Sequence, residues 1–170
     1  MEERKLNWQT ILKIVATVLS VISVFMLFLP AMSVTIAEGI VEGKEVALYN
    51  GFALVFGYQK DGVSELGFSG LNFLSFVLIV LGVVACVLDI AKVRILGKKS
   101  SVILCIVAGS MLVVGGILAT FAVEFAVTVS GNWSLLIKNL TYGPVMQGIV
   151  AIVAGVCAMV PAIIEIKNSK

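Results

Sequence analysis

Three cysteines, Cys86, Cys105 and Cys157, and two carboxylates, Asp89 and Glu124, are the side chains of this chain with most scope for chemistry. A thiol acts as nucleophile or metal ligand only as the thiolate, and apolar surroundings raise its pKa and leave it inert. Each cysteine falls in a different apolar run and none has a Cys-x-x-Cys partner. They therefore read as small packing residues rather than a redox or metal centre. The chain has no histidine, which removes the commonest general base and the commonest metal ligand together. No catalytic residue, cofactor or metal is expected, and the protein reads as non-enzymatic. Glu124 is the candidate ligand contact, because it borders both an apolar run and a polar loop. The plainer alternative for it is a boundary carboxylate that faces water or pairs with Lys138.

Recognition has better candidates than catalysis. Tyr49, Phe52, Phe56 and Trp133 lie in two loops that separate apolar runs, and aromatic side chains are enriched at protein interfaces. These four are the candidate partner contacts, with an interfacial anchor as the alternative role for Trp133.

The elements that must position them are four apolar stretches, at about residues 11–29, 71–88, 102–123 and 145–164. Each is close to the roughly 20 residues that a helix needs to cross a hydrocarbon core. Of the 170 residues, 60% are hydrophobic and 13% charged, and the mean hydropathy is +1.13. A soluble domain would need far more polar surface, so the expected fold is an all-α transmembrane four-helix bundle. It forms a single integral membrane domain over residues 1–170, with outer loops 30–70 and 124–144 and an inner loop 89–101. The net charge of +2 has no basic cluster behind it, which argues against a nucleic-acid partner.

Charge instead encodes orientation. Nine of the twelve basic residues fall at the N-terminal end, in the middle loop or in the tail, and only Lys44, Lys60 and Lys138 lie in the other two loops. Basic residues are retained on the cytoplasmic side, so both termini are expected inside, in a multi-pass protein of the cell membrane. Arg4 and Lys5 followed by an apolar run and Ala31-Met32-Ser33 also suit a secretory signal. The length of the run and Pro30 favour a retained anchor, and Trp8 suits the interfacial belt. With no ionisable group expected in the bundle centre, a proton pump is disfavoured.

The loops carry strand chemistry. Residues 32–36, 46–49 and 52–56 read as strands, the last two around an Asn50-Gly51 turn, and together they predict a small extracellular antiparallel β-sheet formed by the outer loops. A bulge within one strand is the alternative at Asn50-Gly51. Ser69 or Gly70 is placed to cap the second helix. The β-branched run near Val127 is expected to pair with the sheet of the first loop and so hide an edge. Two Asn-x-Ser/Thr triplets begin at Asn132 and Asn139, where glycosylation is topologically allowed.

Small residues mark the helix contacts. Four-residue spacings occur at Ala16/Ser20, Gly82/Cys86, Gly115/Ala119, Ala151/Gly155 and Ala154/Ala158, and small side chains let helices approach closely in lipid. Gly82, Gly109, Gly115, Gly116 and Gly155 are the packing glycines, with Gly109, Gly115 and Gly116 expected against the fourth helix.

This layout resembles the claudin and peripheral-myelin class in topology: a long strand-bearing first outer loop, a short inner loop and a shorter second outer loop. That family's Trp, Gly-Leu-Trp and paired-cysteine motif is missing. Tyr49-Asn50-Gly51-Phe52 stands at its place with no cysteine nearby, so no family activity carries over. The chain also resembles the uncharacterised small four-span proteins of low-GC Gram-positive bacteria, through Phe28-Leu29-Pro30 and Gly51-Phe52, which again implies no activity. The expected function is structural or accessory, binding another membrane or envelope protein, or another copy, through the outer sheet. An oligomeric small-molecule channel or transporter, for an apolar rather than a charged solute, is the alternative. Contact with the lipid bilayer is common to both.

Overall fold

The computed structural model describes residues 8–36, 45–60, 63–92, 98–129 and 136–168. Four long helices dominate: α1 (Trp8–Phe25), α3 (Gly70–Lys92), α4 (Lys98–Thr120) and α5 (Tyr142–Asn168). A 3₁₀ turn, Met26–Phe28, extends α1. All four are long and apolar enough to cross a membrane. The third ends at Thr120, in a series of turns, rather than running on to Val123. Between α1 and α3 lie β1 (Pro30–Ile36), β2 (Glu45–Asn50), the short α2 (Gly51–Phe56), β3 (Tyr58–Lys60) and β4 (Val63–Gly67). Between α4 and α5 lie β5 (Val127–Thr128) and β6 (Leu136–Leu140). These pieces form a cap on one end of the bundle.

Packing follows the small residues: Ala16, Ser20, Cys86, Ala119, Ala151, Ala154 and Ala158 of the four-residue spacings are buried, and the closest glycine contacts add a longer period. The helix α4 lies between α3 and α5, and α1 closes the ring by packing on α5 and, less extensively, on α3. Ile79, Ala108, Leu112, Ala151 and Ala154 are fully buried along the axis. A methyl built on Gly155 would sit 2.7 Å from the Gly109 carbonyl oxygen, and one on Gly148 would sit 2.7 Å from that of Gly116. Gly109 and Gly116 are seven residues apart on α4, as are Gly148 and Gly155 on α5. The α4–α5 seam thus repeats every second turn, the spacing that keeps one stripe facing an antiparallel partner. Gly115 departs from expectation: its Cβ position meets Ile79 and Leu78, so it faces α3 and not the fourth helix. One helical residue turns the chain by about a quarter of its circumference, which puts the adjacent Gly115 and Gly116 toward different neighbours. Gly82 faces α4, at Leu112.

The cap holds two three-stranded antiparallel sheets rather than one. In the first the order is β2-β1-β6, and in the second β3-β4-β5. Ser33 of β1 stands opposite both Leu48 and Asn139. The strand near Val127 pairs with the first loop through Gly67 of β4. The additional strand β6 is held to β1 by side chains as well, since Asn139 Nδ2 donates to Thr35 Oγ1 at 3.1 Å and Thr141 Oγ1 donates to the Pro30 carbonyl. Met32, Val34, Leu54 and Leu66 form a second core beneath the sheets.

Residues 52–56 form the helix α2, not a strand, and the capping groups decide it. Asn50 Oδ1 accepts from the Ala53 N–H at 3.0 Å, as an N-cap side chain does. Gly57 closes the other end at φ 87°, its N–H donating to the Ala53 carbonyl at 3.0 Å. A short apolar run fits either a buried strand or a buried helix, and here two local caps select the helix.

Candidate functional site

The short helix α2 is the centre of the cap, and aromatic rings fix it in place. Seven of the nine phenylalanines form one continuous chain of ring contacts, with centroids 4.9 to 6.5 Å apart. Phe25 and Phe28 end the first helical segment, Phe52 and Phe56 lie on α2, and Phe68, Phe73 and Phe76 surround the start of α3. Contacts at these distances contribute about 0.5–1.5 kcal/mol each beyond area burial. The chain therefore ties α2 to both α1 and α3.

An open groove of about 300 Å³ runs along α2, walled by Leu48, Tyr49, Phe52, Phe56 and Tyr58. Phe56 is 48% exposed and Leu48 56%, so the walls are large apolar side chains facing outward from the fold. Tyr49 is buried, and its ring meets that of Tyr58 edge-on at 5.5 Å. Its hydroxyl donates to Glu65 Oε2 at 2.6 Å, bridging β2 to β4 and hence the two sheets. Burial, then the hydrogen bond to the Glu65 carboxylate, push the Tyr49 phenol above its ordinary value, because both oppose a phenolate there.

Of the four candidate partner contacts, three are brought together. Phe52 and Phe56 face the groove and Tyr49 forms its inner wall. Trp133 lies outside the described residues. Glu124 is exposed in the turns after α4 and lines neither the groove nor the two smaller cavities described below. Asn132 of the first glycosylation triplet is outside the described residues, whereas Asn139 of the second spends its amide on β1.

Two polar clusters lie inside the bundle, and of their contacts the sequence pattern marks only the Ser69 helix cap. At the end away from the cap, Lys13 Nζ lies 2.8 Å from Asp89 Oδ2, and the Asp89 side chain is 4% exposed. Lys13 also donates to Ser101 Oγ at 3.0 Å, and Ser101 donates to Asp89 Oδ1 at 2.5 Å. Cys105 Sγ completes the set, donating to Asp89 Oδ2 at 3.2 Å. A cavity of about 10 Å³ adjoins this cluster, with Cys86 on its wall. Asp89 is thus interior, although its place near a helix end reads as a boundary. The available signal was charge complementarity: Lys13 and Asp89 have opposite signs, near the same end of two antiparallel helices.

At the cap end, Ser69, Asn72, Ser75 and Gln147 are all buried. Ser69 caps α3 by accepting the Asn72 N–H at 3.3 Å, and its hydroxyl donates to the Phe125 carbonyl at 2.7 Å. The signal here was three polar residues at i, i+3 and i+6 on one face of an otherwise apolar run. Among the described residues, no three His, Cys, Asp or Glu side chains come together as a metal site would require. No protein-family model, curated protein or solved structure matches the chain.

Proposed function

We propose that the four long helices cross the cell membrane with both termini in the cytoplasm, so that the cap stands on the outer face as an extracellular platform of β-sheets and α2. The distribution of basic residues supports this orientation. A reporter fused to the C-terminus reads it directly, and activity of that reporter outside the cell would overturn it.

The platform is that of a non-enzymatic accessory protein that docks another membrane protein on the groove along α2. The observation that carries this reading is the groove itself: about 300 Å³, open, and walled by Leu48, Phe52, Phe56 and Tyr58. Exposed aromatic and aliphatic side chains gathered around one groove are the composition of a protein interface core. The ring chain that backs the groove starts at Phe25 and Phe28, the end of the first apolar helix, and reaches Phe73 at the start of the next. The groove therefore lies level with the membrane surface, where an extracellular loop of a neighbouring membrane protein meets it without crossing solvent. A photoreactive residue placed at Phe56 is expected to give a covalent adduct with one protein in intact cells, and F52A is expected to abolish it. Adducts with lipid alone, or with this chain alone, would replace the partner by those occupants.

A second reading, an oligomeric small-molecule channel or transporter, has one observation in its favour, the Lys13–Asp89 ion pair. Ionisable groups within apolar helices are costly and often mark solute or proton paths. The fully buried Ile79 and Leu112 on the bundle axis argue for the accessory role. Solute flux through proteoliposomes that is abolished by D89N would favour transport.

A further inference from the structure

The mouth of the bundle beneath α2 contains a buried acceptor with no donor. Asn72 is 2% exposed, and its Nδ2 donates to the Leu54 carbonyl at 3.0 Å and to the Ala122 carbonyl at 2.9 Å. Those two bonds fix the orientation of the amide, because a flipped group would place its oxygen against two carbonyl oxygens. Oδ1 then accepts from nothing, and it is the one buried side-chain polar atom without a partner among the described residues. The Ser75 hydroxyl, on the same wall, has one hydrogen and gives it to the Gly115 carbonyl at 2.8 Å.

Asn72 lines a cavity of about 20 Å³, together with Ser75 and Gln147. Gln147 is 5% exposed and comes from α5. Water needs roughly 10–15 Å³ measured in this way and two or more polar partners, so the volume suits one molecule. The apolar remainder of the wall, including Leu27, Leu54 and Phe76, is too closely packed to admit a larger ligand without rearrangement.

We infer that this cavity is a binding site for a single ordered water, which donates one hydrogen to Asn72 Oδ1 and makes its second contact with Gln147. The water satisfies an acceptor whose burial would otherwise oppose folding. It also joins α3 to α5 at the mouth of the bundle, where these two helices pack on α4 rather than closely on each other. Because Asn72 holds the Leu54 carbonyl of α2, the same water steadies the lid that bears the outward groove.

The test is nuclear magnetic resonance on the full chain in micelles with isotope-labelled asparagine, the Asn72 side-chain signals being identified by their loss in N72D. The expected result is a cross-peak between water and the Asn72 Nδ2 protons with the sign of a long-lived bound molecule. Resolved Asn72 signals without that cross-peak would overturn the site. Q147M keeps the side-chain length and removes the polar end, and loss of the cross-peak is expected. An unchanged cross-peak in a folded Q147M protein would overturn the assignment of Gln147. Both outcomes are independent of whether the groove binds a partner.

Discussion

Lys13 Nζ and Asp89 Oδ2, 2.8 Å apart, join α1 to α3 at the end of the bundle away from the cap. The pair is sheltered, and Ser101 and Cys105 of α4 supply hydrogen bonds to the same carboxylate. Three helices therefore meet at one charged centre, and α1, which packs less extensively on α3 than on α5, gains an anchor there.

Removing only one charge of this pair is expected to hurt more than removing both. D89L leaves a sheltered ammonium without its counter-ion, a loss of about 3 kcal/mol, at the low end for buried pairs because the lysine stem is able to lift its head toward water. The double variant K13M/D89L is expected to recover more than half of that loss. Reversible unfolding in mixed micelles measures both, and equal losses in the single and double variants would contradict the pairing.

The α4–α5 seam makes a second prediction. A methyl on Gly155 would come within 2.7 Å of the Gly109 carbonyl oxygen, a distance that only backbone movement relieves. G155A is expected to destabilise the bundle by about 1–3 kcal/mol, as overpacking does. Nothing lies within 4 Å of a Cβ on Gly70, so G70A serves as the control, with a change below about 1 kcal/mol. Melting temperatures in detergent separate the two.

The short helix depends on its caps. N50A removes the side chain that accepts the Ala53 N–H and is expected to cost about 1 kcal/mol. G57A is expected to cost more, because φ 87° is unfavourable with a Cβ and that Cβ would meet the Leu66 carbonyl oxygen at 2.7 Å. Both variants should weaken the photo-adduct at Phe56 while leaving the four long helices intact by circular dichroism.

Alkaline pH should loosen the link between the sheets. The phenol of Tyr49 has its pKa raised by folding, so the native state holds this proton more tightly than the unfolded chain. Its contribution is complete below the ordinary phenol value of about 10. As pH rises past that value the unfolded state ionises first, and stability falls until the folded phenol also ionises. In Y49F this loss should disappear. Ultraviolet absorbance of the phenolate, followed alongside unfolding, would contradict the assignment if wild type and Y49F lost stability in parallel.

Particular residues show how far the sequence was legible. The four apolar helices could be read because a run of about 20 apolar residues has few other physical outcomes. The Ser69 cap could be read because its signal is local. The run 52–56 reads as a strand but is a helix, since Asn50-Gly51 serves equally as a hairpin turn and as the start of a helix, and only the caps at both ends distinguish them. Gly115 faces α3 and not α5, which its spacing does not reveal, because spacing identifies small residues without saying which helix each one faces. The sequence marks Phe52 and Phe56 as aromatic loop residues, but the ring chain behind the groove joins residues up to 51 positions apart, from Phe25 to Phe76.

By itself, then, the sequence determined four long apolar helices, the strand-bearing loops between them and the scarcity of ionisable groups, because hydropathy and turn chemistry act over a few residues. Tertiary structure alone decided that Lys13 meets Asp89, that Gly109 meets Gly155, and that Asn72 points an unpaired oxygen into a water-sized cavity. Those outcomes depend on the rotation and register of packed helices, which are set by the summed contacts of many side chains and by no local signal.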